Sequence, residues 1–302
     1  MAPYRFKAAV ENPTFEWFFH LVDAGVGQNI WARNGLEPEC LPTAGTWLQL
    51  KERIESGISI GLVNAAEVTL ARSHGIPVKS IAGYFGDTTA RIFVAADGPI
   101  RSPSHLNGRR IGIVSTTHTS YRTVMYMNKR LCIEAEPVPL GTLSSNLSGL
   151  RLGEIDAFYS AEGSPLALVE SGQLRNLMSL SDIYPQPYTA VVVWASDDLI
   201  ESNPDLVRKF VTAILETVSY LKCHPDYASE LYVKRTGVAK GVADRAVASL
   251  NLILTSEGCG SGNDLVAAMA GNWQFIREAG GAPHDVEVDI YDVVDARFLP
   301  SQ

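Results

Sequence analysis

The stretch LNGRRIGIV-STTHTS-YRTV, Leu106 to Val124, decides how the rest of the chain is read. It opens on the turn pair Asn107-Gly108 and two arginines. Ile111-Gly112-Ile113-Val114 follows, an apolar run of β character, too short for a helix and flanked by turn residues. Six polar residues, Ser115 to Ser120, then lead into a helical pattern. A strand that feeds a helix through small hydroxyl residues leaves backbone N–H groups open at the helix N-terminus. The helix dipole adds to their attraction for an anion. The same residues also make an ordinary strand, loop and cap, since Ser and Thr are favoured capping residues. The surroundings decide between the two.

Upstream, Tyr4 to Val10 reads as a strand ending at Glu11-Asn12-Pro13-Thr14, and Phe15 to Asn34 as a helix with one apolar face. A second strand covers Leu36 to Leu41, a helix Trp47 to Ser56, and a buried strand Gly57 to Val63. Asn64-Ala65-Ala66 opens a helix to His74, and strands follow at Val78–Tyr84 and Arg91–Ala96. Downstream come a helix to Leu131, a strand Glu136–Leu140, a helix Leu143–Leu152, and strands ending at Ser160 and Leu180. Tyr188 to Ala195 is a further strand. The remainder is helical, except for a short terminal strand or extended tail at Val286–Tyr291.

Strand and helix in regular alternation predict an α/β fold of mostly parallel sheets flanked by helices. The turn-rich Asp97-Gly98-Pro99-Ile100 reads as a domain crossing, and Tyr188–Ala195 as the return. The expected lobes are therefore 1–96 plus 191–302, and 97–190. Ligands in such sheets bind beyond the carboxyl ends of the strands. That rule selects Asn12, Thr14 and Phe15, Asn64 and Ala65, and Tyr84 and Phe85 in the first lobe. In the second it selects Ser115, Thr116, Thr117 and His118, with Ser160 and Glu162. Tyr84, Phe85, Tyr159 and Tyr188 are candidate flat walls for a ring or core residues at strand ends, and two of the four suffice for a wall. His118 is a candidate donor or a surface residue of the first helical turn, and Glu162 is a solvated loop carboxylate or a cleft group that favours an amine or hydroxyl on the ligand. Arg109 and Arg110 precede their strand and read as surface charges at the far end; Arg91 and Arg122 are better placed.

Bulk properties narrow the class. The 302 residues suffice for two lobes with a large core, at 46% hydrophobic and 19% charged. The formal charge of −8, without any basic stripe, argues against nucleic acid as a partner. Cys40, Cys132, Cys223 and Cys259 are scattered, with no zinc-like spacing, so neither metal nor cofactor is expected. The N-terminus MAPYRFKAAVENP shows no apolar leader. The expected location is periplasmic if a leader is missing from this sequence, and cytoplasmic if Met1 is the native start.

Four motifs in order carry a resemblance. They are Gly57-x-x-x-Gly61-x-x-Asn64-Ala65-Ala66 with Gly75-Ile76-Pro77-Val78-Lys79-x-Ile81-Ala82, and Ile100-x-Ser102-x-x-x-Leu106-Asn107-Gly108-Arg109-Arg110-Ile111-Gly112-Ile113. Leu150-x-x-Gly153-Glu154-Ile155-Asp156-Ala157 and Asn203-Pro204-Asp205-Leu206-Val207-Arg208-Lys209-Phe210 complete the set. From Tyr4 to Trp273 the chain resembles the substrate-binding proteins of the nitrate, sulfonate and taurine transporter group, which also holds thiamine-pyrimidine precursor binders. The resemblance implies a type II periplasmic-binding-protein fold, two α/β lobes with a ligand cleft between them that closes by hinge motion. It also implies a monomer that delivers a small molecule (a sulfonate, nitrate, pyrimidine or aromatic acid) to an ABC transporter permease.

The alternatives are a cytoplasmic enzyme of the same fold, a lyase or desulfinase on an aromatic acid, and a ligand-sensing module. Fungal pyrimidine-precursor synthases of this fold carry a cysteine-rich iron site, and the corresponding Tyr188–Val191 has no cysteine. A desulfinase needs a nucleophilic thiol beside the cleft. Cys40 is the candidate, and its place at a strand end reads as structural.

Overall fold

The structure is a computed structural model that describes residues 3–11, 16–43, 45–85, 90–161, 163–251, 262–282 and 286–299. Asn12, Thr14, Phe15 and Glu162 lie outside the described residues. The chain divides into two compact units. One comprises Met1–Asp87, Gln186–Trp273 and His284–Gln302; the other comprises Thr88–Pro185 and Gln274–Pro283.

The strands in chain order are β1 (Tyr4–Glu11), β2 (Leu36–Pro42), β3 (Ile60–Asn64), β4 (Val78–Gly83), β5 (Arg91–Ala95), β6 (Arg110–Ile113), β7 (Glu136–Pro139), β8 (Ala157–Ser160), β9 (Leu174–Ser179) and β10 (Val191–Ser196). The first unit holds a sheet of order β2-β1-β3-β10-β4, and the second a sheet of order β7-β6-β8-β5-β9. Both sheets are mostly parallel, and each takes in one antiparallel strand. In the first, β10 runs antiparallel between β3 and β4; in the second, β5 runs antiparallel between β8 and β9. Every residue of β10 is buried, as is every residue of β3 before Asn64. Such strands read as unbroken apolar runs because both faces are covered.

Two strand glycines follow from close approach. A Cβ on Gly61 would stand 2.3 Å from the Ala9 carbonyl oxygen of β1. One on Gly112 of β6 would stand 2.0 Å from Asn146 Oδ1, on the helix Leu143–Leu152 that packs over that strand. The first core gathers Ala9, Val63, Val68, Val192 and Trp194 with Leu265 and Met269 of the helix Gly262–Glu278. The second gathers Phe93, Ile155, Phe158 and Leu174. The end of the chain is fastened to the first unit by Arg72, whose guanidinium bonds Asp197 at 2.6 Å and Asp292 at 2.6 and 2.7 Å.

Several expectations from the sequence change. Arg91–Ala96, placed by its sequence in the first lobe, forms β5 of the second sheet, where Arg91–Ala95 pairs with β9. Asp97–Ile100 is therefore a surface turn at the end of β5, closed by Gly98 N–H to Ala95 O at 3.2 Å. Turn residues mark an exit from a strand, and a sequence does not say which sheet that strand has joined. The helix Gly262–Glu278 begins in the first unit, while its residues from Gln274 onward belong to the second. The helix expected from Phe15 to Asn34 is two helices, Glu16–Gly27 and Ile30–Arg33, separated where Asn29 takes a left-handed conformation (φ 55°). Of the short strand or extended tail expected at Val286–Tyr291, no strand forms: Val286–Asp289 has no regular structure and Ile290 begins a helix. Asp289 instead caps the short helix Ile290–Val293 by accepting from Tyr291 N–H at 3.0 Å.

Candidate functional site

In the second unit, β6 and β8 are parallel neighbours, so the loop after Ile113 and the end of β8 at Ser160 emerge side by side. β5 runs the other way and brings its first residue, Arg91, opposite Ser160 and Ser179 at that same end. The helix Thr119–Leu131 starts there, and its N-cap is His118 rather than one of the hydroxyl residues. His118 Nδ1 accepts the Ser120 N–H at 3.1 Å and lies 3.0 Å from Ser120 Oγ. Ser120 Oγ in turn accepts the Val114 N–H at 3.1 Å. A nitrogen that accepts a backbone N–H carries no proton, so this network assigns the imidazole proton to Nε2. Burial, with the positive charge of Arg122 added, pushes the His118 pKa down to about 4. The ring is neutral near pH 7 and offers one N–H donor. Its edge meets the Tyr159 ring, centroids 6.3 Å apart at 75°.

Arg122 is nearly buried at 7% exposure and fastens the loop from beneath. It donates to Thr117 O at 3.3 Å and to Thr119 Oγ1 at 3.2 Å. Ser115 and Thr117 bond through their hydroxyls at 3.1 Å, and Thr116 and Thr117 are exposed. The sequence-selected Ser115, Thr116, Thr117, His118 and Ser160 thus come together, and Arg91 and Arg122 join them. Arg109 and Arg110 sit at the opposite end of β6, against Asp156 at 3.8 and 3.3 Å. Ser120, which links β6 to the cap, had no signal in the sequence beyond membership of the hydroxyl run.

In the first unit the selected residues are more occupied with structure. Asn64 caps the helix Ala65–Ser73 by accepting the Ala66 N–H at 3.1 Å, and the Ala65 N–H donates to Ala190 O at 3.0 Å. These two amides are spent within the protein. Tyr84 and Phe85 are each 1% exposed, with ring centroids 5.0 Å apart. The Tyr84 hydroxyl is buried without a hydrogen-bond partner among the described residues, and burial holds its pKa well above the usual value. Tyr188 is buried and precedes Thr189, which Asn272 clamps at both backbone polar groups. Thr189 N–H donates to Asn272 Oδ1 at 3.2 Å, and Asn272 Nδ2 donates to Thr189 O at 2.8 Å. No spacing rule foretells that clamp, because its halves are 83 residues apart. Cys40 is half-buried on β2. Among the described residues no three His, Cys, Asp or Glu side chains could hold a metal ion.

The sequence model of the NMT1/THI5-like family matches residues 30–228. The chain belongs to the NMT1/THI5-like family. Among its curated relatives, the riboflavin-binding protein RibY of Chloroflexus aurantiacus is 25% identical over 197 residues, 65% of this chain and 54% of RibY. The 4-amino-5-hydroxymethyl-2-methylpyrimidine phosphate synthase THI11 of Saccharomyces cerevisiae is 22% identical over 60% of this chain and 57% of its own. The chain therefore aligns with little more than half the length of each relative. Among solved structures, the periplasmic aliphatic sulphonate binding protein SsuA of Escherichia coli superimposes with a TM-score of 0.74. It covers 100% of this chain and 94% of SsuA at 16% identity. The NMT1/THI5-like chain thus has the periplasmic-binding-protein fold, with two mixed sheets flanked by helices.

Proposed function

We propose that this NMT1/THI5-like chain is a solute-binding protein that captures a small acid, a sulfonate or carboxylate, for an ABC transporter. The observation that carries the reading is the set of donors converging at one end of the second unit. The neutral His118 ring offers Nε2–H, the Ser115–Thr117 loop offers hydroxyls at the start of a helix, and Arg122 lies under the loop with Arg91 at the same end. Donors and positive charge at a helix N-terminus recognise an oxyanion. The protein works as a monomer in the compartment of SsuA, the periplasm, and hands its ligand to a permease. Asn12, Thr14, Phe15, Glu162, Tyr84, Phe85 and Tyr188 remain proposed contacts for the rest of the ligand.

Similarity to THI11 favours a second reading, an enzyme acting on a pyrimidine precursor. The test is a thermal-shift screen over sulfonates, carboxylates, nitrate, pyrimidines and riboflavin, followed by a search for turnover of any hit. A cognate acid at a hundredfold excess over Kd should stabilise the fold by about 2.7 kcal/mol and be recovered unchanged. Stabilisation by neutral solutes alone would end the acid reading, and consumption of the hit would promote the enzyme.

A further inference from the structure

The second unit contains a cavity of about 560 Å³ at the end of its sheet remote from the Ser115–Ser120 loop. Leu147 and Leu150 of the helix Leu143–Leu152 form one wall, with Leu168 of the helix Ser164–Glu170 and Leu174 of β9. The leucines on these helices are only partly buried against Phe93, Ile155 and Phe158, and Leu152 beside them is 74% exposed. The helix pair thus leaves this face of the sheet incompletely sealed. Asp97 and Arg151 also line the cavity. Both are exposed, and among the described residues neither side chain has a hydrogen-bond or ion-pair partner. The volume lies within the range of small-molecule sites, on the order of 300–1,000 Å³.

We propose that this cavity is a second ligand site, for a short aliphatic zwitterion of the size of a dipeptide. The chemistry follows from the lining. Branched aliphatic walls gain most from aliphatic side chains, since the affinity comes from apolar area removed from water. Two unpaired charges of opposite sign select a ligand with a carboxylate for Arg151 and an ammonium for Asp97. The site is independent of the acid reading above, because it shares no residue with the loop at the other end of the sheet.

The test uses the full chain with methyl-labelled leucine and the probe leucyl-leucine, beside N-acetyl-leucyl-leucine, which lacks the ammonium, and leucyl-leucinamide, which lacks the carboxylate. The zwitterion should shift the methyl resonances of Leu147, Leu150, Leu168 and Leu174. It should bind about two- to fivefold better than either probe missing one charge, the range expected for exposed ion pairs. Arg151→Gln should erase the preference over the amide alone, and Asp97→Asn the preference over the acetylated peptide alone. Both side chains are on the surface, so these variants fold. Leu168→Trp, which fills the cavity, should abolish the shifts while the circular dichroism spectrum is kept. Unshifted leucine methyls at millimolar probe, equal binding of all three peptides, or shifts confined to leucines other than these four would each overturn the proposal.

Discussion

His118 holds the site together at the residue scale. It caps a helix, accepts from one backbone amide, and keeps its proton on Nε2 because Ser120 occupies Nδ1. The folded ring titrates at about 4, against an ordinary value near 6.5. Between those values the unfolded chain takes up a proton that the folded one refuses. Stability from this group is therefore complete above about pH 6.5 and is lost as pH falls towards 4. His118→Asn keeps a capping acceptor and removes the titration. Its stability, measured by urea denaturation, should fall less between pH 7 and pH 4.5 than that of the unaltered protein; an equal fall would place the acid sensitivity elsewhere. Gly112 is the second decisive residue. Gly112→Ala drives a methyl into Asn146 Oδ1 and should cost about 1–3 kcal/mol, the usual range for overpacking. An unchanged urea midpoint would show that the helix above β6 yields freely. The sequence offered His118 as a donor or as a surface residue of the first helical turn and left its capping role unseen, because Ser and Thr around it are the stronger capping types. Gly112 stood in a recognisable motif, but its reason is a contact 34 residues away.

At the scale of elements, most strands and helices were legible because their periods are local. The apolar runs of β3 and β10 announce two-sided burial, and Asn203-Pro204 opens the helix Pro204–Cys223. What was not legible was partnership. β5 carries the same apolar run whichever sheet it joins, and only its pairing with β8 and β9 places it in the second unit. The same holds for the helix Gly262–Glu278, pinned to the segment before β10. Asn272 satisfies the Thr189 amide and carbonyl, both residues being fully buried, and a Cβ on neighbouring Gly271 would stand 1.9 Å from Pro187 O. Asn272→Leu leaves two buried backbone groups unpaired, each worth about 1–3 kcal/mol. The variant should lose several kilocalories of stability in a urea titration, and amide exchange at Thr189 should accelerate. A loss no greater than that of a surface substitution would mean that the clamp is not a source of stability.

On the scale of the whole molecule, each unit inserts one antiparallel strand into an otherwise parallel sheet. The strand ends that bear the candidate site follow from that order. In the second unit they gather donors and two arginines; in the first, Asn64 and Ala65 are consumed by capping and pairing. The two ends were indistinguishable in sequence, since both read as polar residues after an apolar run. In the proposed function the Ser115–Ser120 loop binds an oxyanion. That binding is tested most directly by calorimetric titration of the best acid from the screen into Thr117→Asp and Thr117→Ala, with thermal stability followed on both. Thr117 is exposed, and its carbonyl rather than its hydroxyl anchors Arg122, so both variants should fold. An acidic side chain near a helix N-terminus should leave stability unchanged or slightly raised. Alanine should weaken binding by about 1.5–3 kcal/mol, the worth of a hydrogen bond to a charged group, and aspartate should abolish it by occupying the donors and repelling the anion. Undiminished affinity in Thr117→Asp would contradict the account and leave the loop as a helix cap alone.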